Sequence, residues 1–165
     1  MHLDGFLSYP SAVYTVPYGV MVPKEVGNLL LPVPVSGSHI GFSTLRMEPC
    51  WMAMGQAAGI ASALSIDGKV KVQNIDLSRL QDKLIDQKAT LMYFKDVDYT
   101  SPHFRMVQYL GLRGYLPEWT ARLQEPVDAT TLAAWKKLSG TDLPGIEAGK
   151  TTRLATLEMI YRKIK

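Results

Sequence analysis

With 165 residues, the chain is long enough for a real core, as one domain or two small ones. Its hydrophobic content of 47% and charged content of 20% are ordinary for a globular protein. A net charge of +3, spread over scattered lysines and arginines, argues against nucleic acid as a partner, and a lone cysteine, Cys50, excludes an internal disulfide and a multi-cysteine metal site.

Taken in order, the opening MHLDGFLSYP has no basic region followed by an apolar core and does not read as a signal peptide. Ser11 to Pro17 alternates as a strand does, and Tyr18-Gly19 and Pro23-Lys24-Glu25 read as turns. Leu29, Leu30, Leu31, Val33 and Val35 form an apolar run without a helical period, the pattern of a strand covered on both faces. Ser36-Gly37-Ser38-His39 then breaks the run as a polar loop. A helix follows from Pro49 to Leu64. Proline is tolerated in its first turn, Glu48 suits its positive end, and Asp67-Gly68 stops it.

The second half reads as helices. Asp76 to Gln87 carries an apolar stripe of Leu77, Leu80, Leu84 and Ile85, with Arg79, Asp82, Lys83 and Asp86 on a solvated face. Pro102 to Leu112 turns Phe104, Val107, Leu110 and Tyr109 inward and ends at Gly114. Pro117 to Pro126 connects to helices over Ala129–Leu138 and Thr151–Ile164, the latter capped by Thr151 or Thr152. The Arg162-Lys163-Lys165 tail reads as a solvated helix end.

The helix after Pro49 is built of small residues, with Gly55 and Gly59 four apart. Each interior glycine costs about 1 kcal/mol relative to alanine, so a close approach of another backbone or a flat ligand is the expected reason for the pair. A membrane dimer face is the rival, but Glu48, Gln56 and Ser62 interrupt an apolar window that is short of the roughly 20 residues a span needs. Cys50 reads either as a structural thiol or as a thiolate favoured by the helix start. No set of His, Cys and Asp has metal-ligand spacing; His103 and His2 stand apart from any such set.

The stretch VPYGVMVPKEVGNLLLPVPVSGSHIGFSTLRMEPCWMAMGQAAGIASAL, roughly residues 14 to 65, resembles the C-terminal part of the FAD-dependent oxidoreductase family of glutathione-reductase-like flavoproteins. One departure is Pro32-Val33-Pro34, where many members have a Gly-Arg pair. Some members carry the label xanthan lyase, which would imply a polysaccharide lyase. The resemblance implies short β-strands and a small-residue helix from an FAD-binding domain over 1–68; with the helical readings beyond it, a connecting helix over 69–92 and a small helical bundle over 93–165, the expected fold class is α+β. It also implies that Tyr18 faces the cofactor, although a tyrosine packed at a strand end explains that position as well.

The same resemblance places FAD against Ser36, Gly37 and Ser38, the turn from Pro49, and Gly55 and Gln56. It projects His39 and Arg46 toward the substrate side as catalytic candidates. His39 could move a proton and Arg46 could orient a carboxylate. The plainer alternatives are a loop histidine bonded to backbone and an arginine paired with Glu48 or a helix carbonyl. The chain has no GxGxxG, so the dinucleotide half of such a flavoprotein is expected to be missing. The expectation is therefore a C-terminal fragment, inactive alone, that is an oxidoreductase only with its missing N-terminal half. Its exposed apolar faces would favour a homo-oligomer.

A second run, FKDV through HFRMVQYLGLRGYLP to TTRLATLEMIYRKI, is similar to the S-layer homology module. That resemblance implies a helical appendage able to bind a cell-wall glycan, and offers a non-enzymatic interaction module as the alternative reading.

Overall fold

The computed structural model describes residues 13–165, and the chain divides after Asp76 into two compact units. The lead-in read over residues 1–10 and the start of the first expected strand lie outside the described residues.

In the first unit a 3-10 turn (Tyr18–Met21) leads through an extended stretch to helix α1 (His39–Leu45), helix α2 (Glu48–Gly68) and a second 3-10 turn (Val72–Asn74). Its core joins Met21 and Val35 to Leu45 of α1 and to Met54 and Ala58 of α2, with Tyr18, Leu30, Cys50 and Trp51 packed around them. The turns are tied together by the Tyr18 hydroxyl, which donates to Val72 O at 2.9 Å, and by Gln73 Nε2, which donates to Pro23 O and Val26 O.

The α+β expectation is corrected here. Among the described residues there is no strand, and the one bridge is an isolated antiparallel pair, Pro126 with Thr152. Leu29 to Val35 is extended but unladdered. Pro32 and Pro34 remove N–H donors from alternate positions, and proline interrupts a ladder for that reason. Leu31 N still reaches Met21 O and Ser36 N reaches Val20 O, each at 2.8 Å, but these two bonds do not make a ladder. Nor is the run covered on both faces, since Leu29 is 40% and Val33 45% exposed. The described part of the other expected strand, from Val13 to Pro17, has no partner strand either.

Helix α2 begins one residue before the expected Pro49 and runs four past Leu64. Its stop is Lys69, not Gly68: Lys69 takes the left-handed conformation at φ 51°. Its N–H donates to Ile66 O, and Val70 N donates to Ser65 O, which together make a Schellman closure. Glycine adopts that conformation without the Cβ conflict. Lys69→Gly should therefore stabilise the first unit by about 0.5–1 kcal/mol, read as a raised urea midpoint of its transition.

The second unit holds α3 (Leu77–Asp86), α4 (Phe104–Gly111), α5 (Ala129–Ser139) and α6 (Arg153–Ile164). All four lie where the hydrophobic spacing puts helices. On α3 the stripe loses its first member, because Leu77 is exposed while Leu80, Leu84 and Ile85 are buried. Asp128 caps α5 by accepting from Thr131 N and Thr131 Oγ1, and these bonds hold its carboxyl below the usual range. Gly140 ends α5 at φ 60°, and Thr152 caps α6 by accepting from Ala155 N. The core runs from Val107 and Leu110 of α4 through Trp135 of α5 to Leu157 and Ile160 of α6. Segments 123–127 and 149–154 lie side by side, tied by Val127 N to Thr151 O, Gly149 N to Val127 O and Leu154 N to Leu123 O.

Two polar side chains organise this unit, and both hold backbone. Gln108 is fully buried on α4; its Oε1 accepts from Leu91 N and Met92 N, and its Nε2 donates to Met92 O. The Asp96 carboxylate accepts from Ala121 N at 2.8 Å and Arg122 N at 2.7 Å, closing the 117–126 connector onto the segment between α3 and α4. At the surface, Lys165 Nζ meets Asp82 on α3 and lies 4.6 Å from the Tyr109 ring centre, so the end of α6 is fastened to α3 and α4.

Candidate functional site

The expected site residues run from the Ser36–Ser38 loop through α1 and into the first two turns of α2 in the first unit. Ser38 caps α1 by accepting from Gly41 N at 3.0 Å, so His39, expected in the polar loop, instead opens a short helix. Arg46 is the C-cap of α1, and the next residue, Met47, is the N-cap of α2. His39 and Arg46 are seven positions apart. At 3.6 residues per turn that puts them on nearly the same side of α1, about 10 Å apart along its axis. Both are exposed. Arg46 Nε donates to Ser43 O at 3.4 Å, a carbonyl of its own helix.

The loop ahead of them is open. Ser36, Gly37 and Ser38 are exposed, and the loop is anchored by Ser36 N to Val20 O. At the start of α2, Pro49 has no N–H, and Cys50 N and Trp51 N both donate to Met47 O, at 3.0 and 3.1 Å. The first turn therefore presents the Glu48 N–H and the partial positive charge of the helix, a thinner donor set than the four N–H groups of a usual N-terminus. Cys50 is part-buried, and burial pushes its thiol up, as expected of a structural cysteine. The Trp51 indole Nε1 is buried with no hydrogen-bond partner among the described residues.

Among the described residues, Gly55 and Gly59 have nothing within 4 Å of where a Cβ would stand. They lie on a stripe with Met52, Ala63 and Ile66, spaced by threes and fours. Met52 and Ile66 are each 75% exposed. The opposite side of α2 carries the buried Met54, Ala58, Ala61 and Leu64. No neighbour among the described residues thus requires the glycines; they leave a flat apolar face open. Gln56 is exposed beside them. Tyr18 points its hydroxyl at Val72 O, and burial raises its pKa, so its placement is that of a packed tyrosine.

Residues 3–84 match the family model described as FAD dependent oxidoreductase. The match takes in all the described part of the first unit and continues into α3. No curated protein and no solved structure matches the chain. The small-residue face of α2 and the loop serines are exposed within the matched stretch. Among the described residues there is no group of three or more His, Cys, Asp or Glu able to hold a metal ion. None of the described helices is long and apolar enough to cross a membrane.

Sequence reasoning missed a second feature, in the second unit: a cleft of about 200 Å³ lined by Glu118, Thr130, Thr131, Trp135 and Arg153 among others. The Arg153 guanidinium stands 5.0 Å from the Trp135 ring centre, and its Nε donates to Ala121 O at 2.9 Å. Burial, and then the neighbouring charge of Arg122, push its pKa down. Trp135 and Arg153 are eighteen positions apart on different helices, so no local spacing announces the pair.

Proposed function

We propose that the first unit is the part of an FAD-dependent oxidoreductase that borders the flavin. The observation that carries this reading is the family match over residues 3–84. Ser36, Gly37 and Ser38 would hold ribityl or phosphate oxygens, while the first turn of α2, with Gly55 and Gln56, would border the ring. FAD, when bound, supplies the hydride-accepting chemistry. Around it the α2 N-terminus would favour negative charge, Arg46 would orient an anionic group of the substrate, and His39 would hold or release a proton. The adenosine and most pyrophosphate contacts would come from a GxGxxG-bearing half that is not within these 165 residues, and the exposed Met52–Ile66 face would pack against that half or a second copy.

The test is titration of the 15N-labelled chain with flavin mononucleotide, followed by amide shifts. Half a site should bind weakly, with Kd of about 1 mM, equivalent to roughly −4 kcal/mol. The shifts should be confined to residues 36–39, the first turn of α2 and Gly55, and should disappear in Gly55→Leu. No shift at saturating flavin, or shifts elsewhere, would overturn the reading.

A second reading applies to the second unit and rests on the Trp135–Arg153 cleft. The half-buried Arg153 cation and the exposed Thr130 hydroxyl beside it suit an anionic group such as that of an acidic glycan, so this unit would serve as an interaction module. Binding of an acidic wall polysaccharide that survives in the parent chain but is lost in Arg153→Ala would support it.

A further inference from the structure

We draw no further inference here: the strongest candidate, the exposed Tyr93–Trp119 ring pair on the second unit, is an unpartnered aromatic face with nothing in the structure to say what covers it.

Discussion

Gln108→Leu is expected to cost the second unit about 3–5 kcal/mol, more than the loss of an ordinary buried polar side chain. The replacement is close in size, so packing is nearly kept. What is lost is the partner of two N–H groups and one carbonyl, at Leu91 and Met92, that one amide satisfies together. A backbone group left unpaired in the interior costs about 1–3 kcal/mol, and the part-buried 91–92 segment can recover only some of that from water. Hydrogen exchange should show the α4 and α6 amides losing protection while α2 keeps its own. A loss under about 1 kcal/mol would show that Gln108 merely fills space.

Gln108→Glu sharpens the test through pH. A protonated glutamic acid can accept with one oxygen and donate with the other, as the glutamine does, whereas the carboxylate is a buried charge facing the Met92 carbonyl. Its folded-state pKa should therefore stand above the unfolded value of about 4.3. The Gln108→Glu protein should be most stable below that value and lose stability as pH rises through the folded pKa. The parent should show no such limb.

Trp135→Ala should be the most damaging core truncation, at about 3–5 kcal/mol. The ring is 2% exposed, its Nε1 donates to Tyr115 O at 2.7 Å, and Arg153 stands over one face. Removing it leaves a cavity and an unpaired carbonyl and strips a half-buried cation of its ring. Trp135→Phe separates these effects: it keeps most of the volume and the aromatic face but loses the N–H, so about 1–2 kcal/mol is expected. Thermal unfolding followed by hydrogen exchange at the α5 and α6 amides reads both. Equal losses in the two variants would mean that the Tyr115 hydrogen bond, not the ring volume, dominates.

The corner between α1 and α2 was legible to different depths. Its members, from Ser36 to Gln56, are consecutive enough in the chain that the resemblance could name them, and their neighbourhood follows from two abutting helices. The helical state of His39 was not legible. A seven-residue helix with Gly41 inside it and one buried residue, Leu45, has too weak a period to stand out, and Ser38 declares itself a cap only once the helix exists. The Trp135–Arg153 cleft was hidden because its parts are brought together by packing across eighteen positions.

Four helices of the second unit and α2 follow from local chemistry: apolar residues at threes and fours, Asp128 and Thr152 as caps, Gly140 as a stop, and the high helix propensity of alanine along α2. These are short-range effects and the sequence by itself determines them. The tertiary structure alone decided the rest. Leu29–Val35 has strand-like composition, but a strand exists only by pairing with another, and two prolines withhold the donors that pairing needs. Gln108 looks like one more polar helix residue until the 91–92 backbone closes on it, and Lys69 replaces Gly68 as the stop because the last turn of α2 still had bonds to make beyond the glycine. In each case the deciding partner lies on a neighbouring segment or in the next turn, where a period read along one stretch does not reach.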